Sequence, residues 1–258
     1  MVKKEPWAVF LDIDGTLIGN TPVISEYNAA MIKKARDAGH YVFIDTGRAC
    51  GNIPAAFYDF ISLTDGLIAG SGTYLELNGK TFFDGSFEKD VLREISEYIL
   101  EHKDLWAVFE CKDTIIGANS VPDEWGVKKY IHAENDFDTA YADERVEVIA
   151  VGRRTPEDFR EKFGGRMRII QMRYFADCIL YGCSKSEGMR TVLKELNIPV
   201  EHSIAIGDSE NDLDMLGAAG ISVAVANAAP AVLQAADMIT ASNVDDGVGK
   251  AIEKLLFT

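Results

Sequence analysis

Two short acidic runs stand directly beyond apolar stretches of the 258-residue chain. A hydroxyl-bearing turn and a lone lysine stand in comparable places. Asp12 and Asp14 fall in Phe10-Leu11-Asp12-Ile13-Asp14-Gly15-Thr16-Leu17, immediately after the apolar run Ala8–Leu11. A lone Asp-x-Asp is ordinarily a solvated turn or a helix cap. Even four fixed positions, at about 5% usage per residue type, recur by chance only roughly once in 10⁵ sites. The second run is Gly207-Asp208-Ser209-Glu210-Asn211-Asp212, directly after the apolar stretch Ser203–Ile206. Helix capping accounts for one or two of these residues, not for a second acid cluster behind a second buried strand. Carboxylates converging in one crevice repel and raise one another's pKa values. A divalent cation relieves that repulsion, and hard oxygen donors suit Mg²⁺. Thr46, Gly47 and Arg48 follow Tyr41–Ile44 and Asp45, offering a hydroxyl and free backbone N–H groups of the kind that bind phosphate oxygens. Lys185, just before a helical stretch, adds a positive charge.

Ligands of open α/β sheets bind beyond the carboxyl ends of the strands, so the elements must supply such a sheet. Up to residue 70 the pattern reads strand, helix, strand, helix, strand. The first helix is capped by Ser25 and ended by Gly39, the second covers Ile53 to Phe60, and the third strand is Leu67–Ala69. After Gly72 the pattern changes. Asn78-Gly79 between Tyr74–Leu77 and Thr81–Phe83 predicts a hairpin. An amphipathic helix from Glu88 to Glu101 follows, then strands at Trp106–Glu110, Val146–Val151, Arg168–Met172 and Cys178–Tyr181, with a helix at Pro156–Phe163. From Lys185 the alternation returns. The predicted fold class is α/β: a doubly wound, Rossmann-like parallel-sheet core (residues 1–75 and 184–258) interrupted by an α+β domain (residues 76–183).

Composition narrows the partners. The net charge of −15 argues against nucleic acid, whose binders need a basic footprint. No run approaches the ~18 apolar residues of a membrane span. The short opening before Asp12 does not read as a signal peptide. Cys50, Cys111, Cys178 and Cys183 show no zinc or CxxC spacing and read as free thiols in a reducing cytoplasm. The charge is uneven. Arg153, Arg154, Arg160, Lys162, Arg166, Arg168 and Arg173 outnumber three acids between residues 153 and 173. Such a run is either a solvated face or a positive surface for an anionic substrate.

With these residues assembled, nearly the whole chain resembles the haloacid dehalogenase superfamily, and within it the Cof-type phosphatases with an α/β cap inserted after the second motif. The resemblance rests on DxDGTL at Asp12–Leu17, Thr46-Gly47-Arg48, Lys185 ahead of a helix, and GDxxND at Gly207–Asp212. It also takes in Ala224–Ala228 and Asn243–Val248. It implies that Asp12 is the nucleophile taking the phosphoryl group, while Asp14 protonates the leaving oxygen and then activates water. It further implies a Mg²⁺ site from the Asp12 carboxylate, the Asp14 carbonyl and Asp208. Thr46, the amides near Gly47 and Lys185 would hold the phosphoryl oxygens. Asn211 and Asp212 would orient the metal shell or Lys185, either taking either task.

The large insert lies between Thr46 and Lys185, not in the earlier gap where phosphonate-cleaving relatives carry their Schiff-base lysine. Asp14 argues against dehalogenase chemistry. Two departures stand out: Ser71 occupies a place where relatives often have Asn before Gly, and Ser186 follows Lys185 where Gly is common. The expected function is hydrolysis of a small phosphorylated metabolite, a sugar phosphate being the commonest type. A phosphomutase of the phosphomannomutase type is the alternative enzyme, favoured only by the basic run. A non-catalytic phosphometabolite sensor would be expected to lose Asp12 or Asp14, and both are present.

Overall fold

The computed structural model describes residues 5–19, 21–152, 155–172 and 174–258. The chain forms β1 (Ala8–Leu11), a helix at Glu26–Asp37, β2 (Tyr41–Asp45), a helix at Ala55–Ile61, and β3 (Gly66–Ala69). β4 (Tyr74–Leu77) and β5 (Lys80–Asp84) follow, joined through Asn78 and Gly79, both at positive φ (50° and 74°). That is the backbone a two-residue hairpin turn of matching twist demands. After a helix at Lys89–Glu101 come β6 (Ala107–Cys111), β7 (Ile115–Ala118), β8 (Lys129–Ile131), β9 (Val146–Gly152), a helix at Glu157–Phe163, β10 (Met167–Gln171) and β11 (Phe175–Leu180). The return comprises a helix at Lys185–Leu196, β12 (Ser203–Gly207), a helix at Leu213–Ala218, β13 (Ile221–Ala224), a short helix at Pro230–Ala235, β14 (Met238–Ile239) and a helix at Gly247–Phe257.

Two compact units result. One comprises residues 1–47, 54–82 and 184–258; the other comprises 48–53 and 83–183. The first is built on a sheet ordered β14-β13-β12-β1-β2-β3-β4-β5, parallel from β14 through β3 and antiparallel at β4. β1, β3 and β12 are buried along their whole length, as strands covered on both faces must be. Ser25 caps the first helix by accepting the Asn28 N–H, and Gly39 leaves it at φ +89°.

The second unit has a sheet ordered β10-β11-β9-β6-β7-β8, antiparallel except between β7 and β8. One face carries the unit's main apolar core. There Leu92, Ile95 and Ile99 from the long helix and Phe159 and Phe163 from the short one meet Phe109, Ile149, Val151 and Cys178. The other face holds Val108 and Ala150 beneath the partly buried rings of Trp106, Trp125 and Phe175. All four cysteines are free and buried.

Candidate active site

The chain leaves β1 toward β2 and β3 and later returns to the opposite flank of β1 as β12. The strand order therefore reverses between β1 and β12, the position where doubly wound sheets open a crevice. Asp12 follows β1 and Asp208 follows β12. The Asp12 N–H donates to the Ile206 carbonyl at 3.1 Å, fixing the two strand ends together. Gly15 is at φ +83°, and a Cβ on it would fall 2.3 Å from Asp208 Oδ2. Only glycine meets both conditions. Thr16 Oγ1 donates to Asp208 Oδ1 at 3.1 Å, so the Gly-Thr pair of the first run seats the acid of the second.

Lys185 opens a helix whose cap is Ser184, the serine Oγ accepting the Glu187 N–H at 3.1 Å. A cation at that end opposes the helix dipole, and Lys185 is only 1% exposed. Its compensation is direct. Nζ lies 2.6 Å from Asp12 Oδ1 and 2.6 Å from Asp212 Oδ1. The other Asp212 oxygen accepts the N–H groups of Asp208 (2.9 Å) and Ser209 (3.0 Å). Asp212 therefore has both oxygens committed, to Lys185 and to the loop that carries Asp208. Asn211 forms no hydrogen bond to Lys185. Its Oδ1 accepts Ser209 Oγ at 2.5 Å, and its Nδ2 lies 3.3 Å from where a Cβ on Gly47 would stand. The buried Thr46 is held by main-chain bonds to Ile68 and Ser71.

Burial and then the neighbouring Asp212 push Asp12 up to about 8, against the lowering effect of Lys185. The same two causes raise Asp208 to about 6. Burial alone would lower Lys185, but Asp12, Asp212 and Asp45 hold it above its ordinary value. One ammonium thus leaves uncompensated negative charge. Ligand atoms of Asp12, Asp208 and Asp212 lie within 4.8 Å of one another, an all-carboxylate set suited to a hard divalent cation. Since Asp212 is already engaged twice, Asp12 and Asp208 are the acids with most capacity left for a metal. Asp14, two residues beyond Asp12, is exposed.

A family model for haloacid dehalogenase-like hydrolases matches residues 9–252, spanning every element of this site. The chain belongs to that family. It is 29% identical over 257 residues to a 5-amino-6-(5-phospho-D-ribitylamino)uracil phosphatase of Bacillus subtilis, covering 95% of this chain and 93% of that protein. It is 30% identical to the chloroplastic endoribonuclease YBEY of Arabidopsis thaliana over 273 residues, spanning 96% of this chain but 46% of that longer protein. A solved sugar phosphatase of haloacid dehalogenase subclass IIB superposes with a TM-score of 0.80 at 26% identity, covering 96% of this chain and 98% of that one.

Within this haloacid dehalogenase-like crevice, three residues lay in quoted motifs without an assigned task. Thr16 holds Asp208. Asp45 is fully buried, has no hydrogen-bond partner on either oxygen, and is pushed well up by burial, against the lowering effect of Lys185 and with Asp214, Asp212 and Asp12 raising it further. The signal available in sequence was an acid closing an apolar strand. Ser71 sits in the left-handed region (φ 52°, ψ 46°), donates its N–H to the Thr46 carbonyl at 3.0 Å and lies beside Gly47. Asn tolerates that conformation better than most residues, so an Asn at this place would suit the backbone.

The four described members of the basic run each have a partner inside the second unit. Arg166 pairs with Glu94 and Asp90, Arg168 donates to the Cys183 carbonyl, and Arg160 donates to Ile169 and Gln171. Lys162 lies over the Tyr98 and Phe163 rings. Arg153, Arg154 and Arg173 lie outside the described residues. Among the described residues no helix is long and apolar enough to cross a membrane.

Proposed function

We propose that this protein is a Mg²⁺-dependent phosphatase that hydrolyses a small phosphorylated metabolite of the sugar-phosphate type through an aspartyl phosphate on Asp12. The observation that carries this reading is the placement of Asp12 at the β1–β12 reversal, 2.6 Å from the Lys185 ammonium and next to Asp208. The relatives named as phosphatases of a phosphoribityl compound and of a sugar support the substrate type.

An Asp12 oxygen attacks phosphorus as the bond to the leaving oxygen breaks, and the Asp14 carboxyl gives its proton to that oxygen. Asp14 then takes a proton from water, whose oxygen attacks phosphorus and frees Asp12 and inorganic phosphate. Lys185, the Thr46 hydroxyl and the amides near Gly47 hold the phosphoryl oxygens where charge develops. Asp12, the Asp14 carbonyl and Asp208 would hold Mg²⁺, which when bound would supply countercharge near the phosphoryl oxygens. Asp212 keeps Lys185 in place, and the inserted unit acts as the cap that selects the leaving group. Free buried thiols fit a reducing compartment, the cytoplasm.

The deciding measurement is hydrolysis of p-nitrophenyl phosphate by the purified protein with Mg²⁺. A chelator is expected to stop turnover, and activity undiminished by chelation would reject the metal assignment. A panel of phosphorylated sugars and polyols then identifies the leaving group.

A further inference from the structure

Two runs quoted for the family resemblance, Ala224–Ala228 and Asn243–Val248, have no task in the chemistry above. Each brings one asparagine to the turn that carries Asp14. Asn227 Nδ2 donates to the Gly15 carbonyl at 2.8 Å, and Asn227 Oδ1 accepts the Asn243 N–H at 2.8 Å. Asn243 Nδ2 donates to the Ile18 carbonyl at 3.0 Å, and the same carbonyl accepts the Gly15 N–H at 3.0 Å. These four bonds close a circuit through three loops, all within the first unit. Both main-chain groups of Gly15 are engaged in it.

Asn227 is exposed and Asn243 half-buried. Amides at such places ordinarily bond to water, and exchanging water for a protein partner adds little net stability. What these bonds fix is direction. The turn closes on itself through the N–H groups of Thr16, Leu17 and Ile18, all donating to the Ile13 carbonyl. The peptide between Asp14 and Gly15 stands outside that closure. Its N–H donates to Ile18, and glycine at φ +83° offers little steric resistance to a flip of the peptide. A peptide is planar and trans, so holding its N–H on Ile18 holds the Asp14 carbonyl in the opposite direction. Asn243 anchors the acceptor of that bond, and Asn227 anchors the carbonyl on the far side of Gly15. The loop of Asn227 is itself seated on the second acid run, where the Ala229 N–H donates to the Asp208 carbonyl at 2.8 Å. The asparagines therefore set the Asp14–Gly15 peptide relative to Asp208.

We propose that Asn227 and Asn243 are positioning residues for the cation site, holding the Asp14 carbonyl where it can bind Mg²⁺ together with Asp12 and Asp208. This rests on the Mg²⁺-dependent phosphatase reading above. Opening the circuit at either asparagine frees the peptide to turn. Metal binding must then order it first, which lowers the apparent affinity.

The test is calorimetry with Mg²⁺ alone, without substrate, on the parent, Asn227→Ala, Asn243→Ala and the double variant. Ser25→Ala, whose lost helix cap lies elsewhere in the same unit, controls for lowered stability. Hydrolysis of p-nitrophenyl phosphate over a Mg²⁺ series supplies kcat and the half-activating concentration. Each single variant is expected to bind Mg²⁺ ~10-fold more weakly, the scale usual for groups that orient a metal ligand. Since one circuit carries both residues, the double variant should lose little beyond the larger single loss. Saturating Mg²⁺ should return kcat to near the parent value. Parent-like Mg²⁺ binding in the folded single variants would overturn the proposal. So would losses that multiply in the double variant, a kcat loss that Mg²⁺ does not restore, or equal weakening in Ser25→Ala. If Asn243→Ala fails to fold, the exposed Asn227 decides by the same readouts. A parent chain that binds no Mg²⁺ would remove the metal reading and this proposal with it, and full activity in Asp12→Asn the phosphatase reading. Variants that match an active, Mg²⁺-binding parent reject only the role given to the asparagines.

Discussion

The two units bury acids under opposite terms. In the first, Asp12, Asp208 and Asp212 crowd around one ammonium, and the sum remains negative. In the second, Glu110 and Glu147 face main-chain N–H groups and one amide, with Lys112 and Asp84 nearby. Both sets carry the burial penalty. The difference lies in what answers it. Glu110 accepts one main-chain N–H and one side-chain amide, and Glu147 accepts one main-chain N–H with its other oxygen unpartnered, so these acids hold a turn. A lysine shared by two acids leaves charge that a metal and a phosphoryl group can use, so the first set can react.

The sharpest way to break this contrast is Asp12→Asn, which keeps the shape and removes the charge. Hydrolysis of p-nitrophenyl phosphate is expected to fall at least ~10³-fold with the fold intact, since Lys185 retains Asp212. Residual activity near the parent level would make the Asp12 set no more reactive than the insert's. Next comes Lys185→Met, which strands Asp12 and Asp212 together. Urea unfolding at neutral pH should register a loss of about 3–5 kcal/mol. Lys112→Met, which removes a partly exposed partner 3.6 Å from Asp84, should cost no more than about 1 kcal/mol. Similar losses at the two lysines would erase the distinction.

A third expectation concerns pH in the presence of chelator. Asp12 (about 8), Glu147 (about 7) and Asp208 (about 6) all titrate higher in the folded chain than their ordinary values. The folded state therefore binds these protons more tightly than the unfolded one. Their contribution is full below about pH 4 and is lost as pH rises through 6 to 8. For Glu147 the loss is on the order of 3 kcal/mol, and Glu147→Gln should flatten that part of the curve. Mg²⁺ should reverse the part due to Asp12 and Asp208 and release protons on binding, measurable by calorimetry in buffers of different ionisation enthalpy. A stability curve that Mg²⁺ leaves unchanged would count against the acid cluster as its site. The smallest effect is Ser25→Ala, far from both acid sets: about 1 kcal/mol of stability from the lost cap, with kcat unchanged.

Local chemistry made some elements legible and hid others. Strand ends at Leu11, Asp45 and Gly207 are readable because apolar runs stop abruptly at polar residues, and the β4–β5 turn because Asn-Gly accepts positive φ. β7 and β8 escaped notice. Ile115–Ala118 and Lys129–Ile131 are too short to show a period, and they exist because β6 offers an edge for β7 and β7 one for β8. Charge alone left the basic run as either a solvated face or a positive surface for an anionic substrate. The fold gives Arg166, Arg168, Arg160 and Lys162 partners within their own unit.

For the site, sequence alone determined which residues end the strands, which turns need glycine, and that two acid clusters and a lysine belong to one crevice. Runs of adjacent residues carry that information, because backbone conformation is set locally. Only the tertiary structure decided that Asp212, not Asn211, grips Lys185, that Thr16 seats Asp208, and that two glutamates of the insert clasp residues 49–52. Those contacts join residues 27, 192, 61 and 97 positions apart. A buried charge takes whichever partner the packed chain brings within hydrogen-bonding distance, and no local pattern records that choice.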